Sequence, residues 1–488
     1  MALSQEITDK YETVVGLEVH AQLLTRTKAF SADPYQYGSA PNTQLSPINL
    51  AHPGTLPKPN LAGLKMAVKM GLACESEIVL RTHYSRKNYF YADLPKGYQI
   101  TQFTTPICVG GQVIVTDAEN KEKRISLDKI ILEEDSGKSI HDLDPFATLI
   151  DLNRAGVPLI EIVSNPDIRT PEEAGQYLTE IRRMVRYLDI CDGNMEEGSL
   201  RCDANVSIRP RGETRLYNRV EIKNLNSIRN VMRAIAFEVQ RHVAIVEEGG
   251  KVSNDTRGFD PVKGETFAMR TKELANDYRY FPEPDIPPIV LTRESVEQIK
   301  VEMPELPKAL RERLRKDYAL SDYDAAVITA DKETADYYLG LIGETGNYKA
   351  ASNWLTGPIR SYLNENAKEL SDLNITPQHI ARLIQLIDEN KISFSAASQK
   401  VFPELIKNGT DKDVDDIVAS LNLTQVSDDD FLLKNIREVI DKYPAKAEEF
   451  KNGKKGLLGL FMGEVMKKTG GKADPKRTTL LLEQELLK

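Results

Sequence analysis

Residues 14–23 read VVGLEVHAQL and alternate without a break. Val15, Leu17, Val19, Ala21 and Leu23 fall on one face of an extended chain, and Gly16, Glu18, His20 and Gln22 on the other, because successive strand side chains point to opposite sides. A period of two predicts a strand with one face in a core. On the polar face, Glu18 and His20 start about 6.5–7 Å apart at their Cα atoms, two residues along a strand. They can converge on one small object, such as a metal ion or a phosphate–metal complex. A half-buried strand whose polar face meets water reads the same way, so the meaning of the pair depends on what the fold sets beside it.

Other carboxylates stand in costly surroundings. Glu161 interrupts the apolar run PLIEIV at 158–163, and a lone buried carboxylate is expensive without a partner. Either it faces a solvated groove or pairs with an arginine such as Arg154, or it serves a positive ligand. Residues 130–138, IILEEDSGK, put Glu133, Glu134 and Asp135 behind an apolar run. Strand alternation sends Glu133 and Asp135 to one side. Three adjacent like charges more often mark a solvated turn, but beside Glu18, His20 and Glu161 they form a candidate hard-metal site. Mg²⁺ takes oxygen ligands and bridges to nucleotide phosphates. A histidine leaves Mn²⁺ or another transition ion open.

Residues 86–98, RKNYFYADLPKGY, interleave Lys87 and Lys96 with aromatic rings. The stretch suits phosphates or a nucleotide end through charge and stacking, and equally an edge strand. Polar residues at 196–205 and 221–226 fit either a polar cleft or surface hairpins. No G-x-x-x-x-G-K-[ST] loop, G-x-G-x-x-G or G-x-S-x-G elbow occurs, so ATP would need another cradle and no acyl-enzyme nucleophile is signalled.

At 488 residues the chain exceeds one core, which predicts about two to four domains. Short alternating runs at 149–152, 157–163 and 204–209 predict strands. Helices are predicted from Asn60, with Leu61, Leu64, Val68 and Leu72 in phase, and from Thr170-Pro171, a cap followed by a first-turn proline. The texture changes at 282–288 and is helical beyond. Leu310, Thr376-Pro377, residues 428–430 and Leu457 begin helices, while 401–405 and 408–410 read as a boundary. The first part is therefore an α+β domain. Net charge is −9, which gives no global basic field. The tail 441–488 alone carries eleven Lys and Arg against seven acids, a net +4. That is a solvated face or a basic helical module for RNA backbone. Cys74, Cys108, Cys191 and Cys202 are scattered, without a C-x-x-C pair, so neither a zinc knuckle nor a disulfide framework is signalled. The absence of a leader or apolar span predicts a cytoplasmic protein.

Taken together, GLEVH (16–20), HPGTLP (52–57), RKNYFY (86–91), EEDSG (133–137), DLNR (151–154), EEGSLRCDAN (196–205), KNLN (223–226) and DYRYFPEPD (277–285) resemble the B-subunit family of the bacterial aspartyl/glutamyl-tRNA amidotransferases. The likeness runs the length of the chain in the same motif order. It implies a large mixed β-rich cradle domain at 1–292, an all-α helical domain at 293–407 and a small all-α, YqeY-like, tRNA-binding tail at 408–488. The implied activity is that of a glutamine-dependent carbon–nitrogen ligase. With ATP and Mg²⁺, the side-chain carboxylate of misacylated Glu-tRNA(Gln) or Asp-tRNA(Asn) is phosphorylated, then amidated by ammonia. An amidase (glutaminase) partner, the A subunit, supplies the ammonia through a channel, and a small C subunit completes a heterotrimer. By the same resemblance, Glu18, His20, Glu133 and Glu161 are the metal-linked positions. Lys87, Lys96 and Glu133 are the charged residues at the channel's end. Two other readings are a tRNA-binding scaffold without its own active site and a stand-alone phosphotransferase acting on a small molecule.

Overall fold

The computed structural model describes residues 5–116, 121–271, 275–409, 412–423, 429–470 and 473–488. Thr410, Asp428 and Lys472, which fall in stretches named above, lie outside the described residues. The chain forms two compact units, Met1–Leu306 and Pro307–Lys488.

The alternating stretch becomes the strand Tyr11–Gln22 at the middle of a ten-stranded sheet. It pairs antiparallel with Pro158–Ser164 on one side and Leu200–Pro210 on the other. Beyond Pro158–Ser164 come Glu122–Glu134, Cys108–Val109 and Glu77–Ile78, with Gln112–Thr116 also paired to Glu122–Glu134. Beyond Leu200–Pro210 come Val220–Leu225, Asp255–Asp260 and Glu265–Thr271. Only the Val220–Leu225/Asp255–Asp260 pairing is parallel among these neighbours, so the sheet is mixed.

Val15, Leu17, Val19 and Ala21 are fully buried in one core with Val68 of the helix Leu61–Ala73, Ile181 of Pro171–Tyr187 and Ile235 of Ile228–Glu247. Each buried Val, Leu or Ile contributes about 1.5–3 kcal/mol. The three helices start where side-chain oxygens accept free backbone N–H groups. Asn60 accepts from Ala62 and Gly63, Thr170 from Glu173 and Ser227 from Asn230. Gly71 lets the first helix close on its neighbouring strand, since a Cβ there would collide with Sγ of Cys108. One face of the central strand is thus committed to the core, and the other carries Glu18, His20 and Gln22.

A smaller sheet places Ser85–Asn88 between Tyr98–Thr101 and Phe281–Pro282. Ser85–Asn88 is therefore a middle strand. The edge-strand reading fails because one partner comes from almost two hundred residues further along the chain. The first unit also keeps the helix Arg293–Val301, whose Ile299 is buried in the same core as Val15.

The second unit is helical. Thr376 caps Pro377–Asp388, which buries Ile380, Leu383 and Ile384. Residues 401–405, read as a boundary, sit inside continuous helix, where Ala397–Val401 runs into Phe402–Asn408. The last helices share a core of their own built on Leu432, Ile436, Phe450, Phe461, Val465 and Leu482. Among the described residues no helix is long and apolar enough to cross a membrane.

Candidate active site

The polar face of the central strand is where the costly carboxylates meet. Across the sheet, His20 stands opposite Glu161 on Pro158–Ser164 and opposite Arg201 on Leu200–Pro210. Glu133 approaches from Glu122–Glu134, where it lies opposite Leu159. His20 Nε2 is 3.7 Å from Glu133 Oε1 and 3.7 Å from Glu161 Oε2. One potential ligand atom from each of the three residues lies within 4.8 Å of the others. Side-chain exposure is 5% for Glu133, 17% for Glu161 and 21% for His20, so the cluster is sunk in the sheet but open on one side.

The electrostatics describe a donor set short of positive charge. Burial pushes the His20 imidazole down to about 4, so near neutrality the ring has a lone pair to offer. Burial, then the charges of Glu133 and Glu18, hold the Glu161 carboxyl well above its usual range. Burial also raises Glu133, with Lys87 and the Thr101 hydrogen bond pulling the other way. Thr101 Oγ1 donates to Glu133 Oε2 at 2.8 Å. One neutral imidazole and two carboxylates that disfavour each other's charge fit a divalent cation, which would relieve their repulsion.

Glu18 lies on the same face, but its carboxylate accepts from Asn205 Nδ2 at 2.8 Å and stands outside the group of three. Lys87 Nζ lies 4.8 Å over the Tyr278 ring, and its charge reaches Glu133 and Glu161. Lys96 forms its ion pair with Glu134 rather than Glu133. Glu134 Oε1 also accepts from the Ile100 backbone at 2.9 Å.

The solvated-turn reading of residues 133–135 is overturned, for all three acids are buried. They escape mutual repulsion by taking separate partners. Glu133 joins His20 and Glu161, while Glu134 takes Lys96. Asp135 accepts from Gln22 Nε2 at 2.8 Å and from Arg201 at 2.7 Å. Arg154 stands 3.6 Å from Asp135, which corrects the pairing of Arg154 with Glu161. Burial opposes the Asp135 charge, but Arg201 and Arg154 outweigh it and bring the carboxyl below its usual value.

Arg201, Asp203 and Asn205 are the residues hardest to assign from sequence. They lie opposite His20, Glu18 and Gly16 on the neighbouring strand, and Lys223 bridges Asp203 at 3.0 Å to Glu221 at 3.1 Å. Their alternation with Leu200, Cys202 and Ala204, all buried, is the available signal. The polar residues at 201–205 thus belong to a cleft and not to a surface hairpin. Next to it is a cavity of about 450 Å³ whose lining includes Tyr35, Tyr37, Lys138, Arg154, Glu196 and Arg201. Arg154 and Arg201 both serve this cavity and both hold Asp135.

Two family models match the chain. Residues 13–297 match the GatB/GatE catalytic domain and residues 336–486 the GatB domain. The chain is 47% identical over 478 residues to the aspartyl/glutamyl-tRNA(Asn/Gln) amidotransferase B subunit of Alkalilimnicola ehrlichii, covering 98% of this chain and 99% of that protein. It is 46% identical over 478 residues to the protein of the same name from Nitrosococcus oceani, covering 98% and 100%. For the one from Thermoanaerobacter pseudethanolicus the identity is 46% over 479 residues, again covering 98% and 100%.

Proposed function

The chain belongs to the GatB family of amidotransferase B subunits, and on that premise we propose that its first unit carries the activation and amidation chemistry. The substrate is the side-chain carboxylate of an amino acid misacylated onto tRNA, Glu-tRNA(Gln) or Asp-tRNA(Asn). The observation that carries this reading is the convergence of His20, Glu133 and Glu161 within 4.8 Å on one open cleft.

A carboxylate is a poor electrophile. Transfer of the ATP γ-phosphoryl group to one of its oxygens gives an acyl phosphate and ADP. Ammonia then attacks the acyl carbon, the C–O bond to phosphate breaks, and the proton lost from nitrogen ends on the departing phosphate, giving an amide and hydrogen phosphate. A divalent cation, Mg²⁺ with ATP, would be held by His20, Glu133 and Glu161 with Glu18 beside them, and would offset the charge of nucleotide and carboxylate. We assign the nucleotide to the adjoining cavity, where Lys138, Arg154 and Arg201 offer donors to phosphate oxygens. Asp135 fixes the two arginines so that little ordering is needed when phosphate arrives. The buried acids and half-buried lysines, Lys87 near Glu133 and Lys96 on Glu134, are suited to pass a proton from ammonia. Substrate covering the cleft's open side would protect the acyl phosphate from water.

No nucleophile for releasing ammonia from glutamine is needed on this chain if a partner amidase, the A subunit, does so. We propose that partner, with a small C subunit, in a cytoplasmic heterotrimer. The basic stretch of the tail, 441–488, then holds the tRNA body. Mixing this chain with its partners, ATP, Mg²⁺ and each misacylated tRNA should yield acyl phosphate and amide. His20→Ala and Glu161→Gln should each lower amidation by about 100-fold, the upper end of what even loss of a group orienting a metal ligand costs. Wild-type rates in both variants would overturn the reading.

A further inference from the structure

The segment at 277–285, DYRYFPEPD, supplies no member of the acid cluster, yet it is fastened at several points. Arg86 donates to both carboxylate oxygens of Glu283, at 2.7 and 2.8 Å, and to Asp285 at 3.0 Å. The Glu283 side chain is wholly buried. Asn88 Nδ2 donates to the carbonyl oxygens of Tyr278 and Arg279 at 3.0 and 2.9 Å. Between the two tyrosines, Arg279 is held at φ 44°, a left-handed conformation that residues other than glycine seldom adopt.

What these bonds hold in place is aromatic and partly uncovered. Phe103 and Tyr280 stack with centroids 4.0 Å apart and planes 3° from parallel. Tyr278 meets Tyr280 edge-on at 5.9 Å, and Tyr89 meets Tyr278 at 6.3 Å. Phe103 and Phe281 are each 44% exposed. Lys87 Nζ lies over the Tyr278 ring. The set borders the acid cluster, for Phe103 lies two residues beyond Thr101, whose hydroxyl donates to Glu133 Oε2 at 2.8 Å.

A stacked ring pair with one member, Phe103, 44% exposed and a cation alongside is the equipment of single-stranded nucleic-acid binding, where bases stack and the cation meets backbone. The position matters as much as the chemistry. An esterified amino acid hangs from the terminal ribose, so its carboxylate can reach the cation site at Glu133 and Glu161 only if the terminal base is held in the same cleft, one aminoacyl chain and one ribose away. We propose that Phe103 and Tyr280 form a stacking ledge for the unpaired 3′-terminal bases of the substrate RNA. The ledge sets the distance from the last base to His20, Glu133 and Glu161. This rests on the amidation reading above, and it makes the two rings positioning residues.

The test uses the complete complex and a misacylated tRNA whose terminal adenine is replaced by 2-aminopurine, a base whose fluorescence is quenched by stacking. Wild type should quench it on binding. Phe103→Ala and Tyr280→Ala should lose the quenching and lower kcat/KM for the tRNA about tenfold, the value of roughly one stacked base. The KM for ATP should stay where it was. Phe103→Leu fills the same space without a ring face, so it should lose quenching as the alanine variant does. Full quenching in Phe103→Leu would overturn the ledge, and so would a rise in the KM for ATP, which would mean that the rings hold the nucleotide's adenine. Wild-type amidation and quenching that ignore all three variants would overturn the ledge alone. A wild-type complex that neither amidates nor quenches would overturn the ledge and the amidation reading together.

Discussion

Glu161 is the residue whose surroundings make least sense without a ligand. In the fold its carboxyl is raised by burial and by its acidic neighbours. A folded pKa above the unfolded value of about 4.3 stabilises the fold fully below that value, and the benefit is lost as pH rises to the raised one. Above it the carboxylate is charged beside Glu133 and costs stability. Glu161→Gln should therefore raise the melting temperature of the cation-free protein at neutral pH. Wild type should instead be stabilised by Mn²⁺, on the order of 2.7 kcal/mol at a hundredfold excess over Kd, and the variant should not respond. His20 is neutral above about 4, so cation binding should weaken with falling pH only as the two glutamates take up protons. Melting curves at several pH values, with and without Mn²⁺, check both signs. This residue-scale site was partly legible in sequence, because an acid in an apolar run and an acid–imidazole pair on one strand face both carry a cost that asks for a partner. Residues 133–135 misled because sequence shows three like charges side by side. It does not show that Lys96, Arg201 and Gln22 come from other elements to separate them.

At the scale of elements, the alternation that predicted the central strand worked because its apolar face is wholly buried and its polar face is not. The same rule was available for Leu200–Pro210, but a strand's polar face can look toward a cleft or toward bulk water, and only register decides. That register sets Arg201 opposite His20. The small sheet was harder, for Ser85–Asn88 reads as an edge until Phe281–Pro282 supplies its second partner. Arg86 then meets Glu283 across that pairing, with Tyr98 stacked 4.1 Å from the guanidinium. Arg86→Ala would leave a buried carboxylate unpaired, which costs about 3–5 kcal/mol. Urea denaturation should show that loss, while Arg86→Lys should recover only part of it because one ammonium cannot match both oxygens. A change within error for Arg86→Ala would mean that Glu283 finds another partner or water.

For the whole molecule, the division of labour read in the sequence was a β-rich part followed by helices, and the fold has that order. The end of the first unit was less visible. The sequence places the helical domain from 293 onward, and only the buried Ile299 of Arg293–Val301 ties that helix to the sheet's core. The tail has its own core, and its sequence from 441 onward carries a net +4. A chain ending at Leu423 should lose about tenfold or more in tRNA affinity at moderate salt, with a shallower salt dependence, as loss of several phosphate contacts does. Its Mn²⁺-dependent stabilisation should be intact. Filter binding across a salt series reads the first, and melting curves read the second. The whole account turns on a cation gripped by His20, Glu133 and Glu161. Its most direct test is a crystal of the complex grown with Mn²⁺ and measured at the manganese absorption edge. The account predicts an anomalous peak within about 2–2.5 Å of His20 Nε2 and of one oxygen from each glutamate, by analogy with ordinary divalent-ion bond lengths. No peak there, with the three side chains still converging, would contradict it.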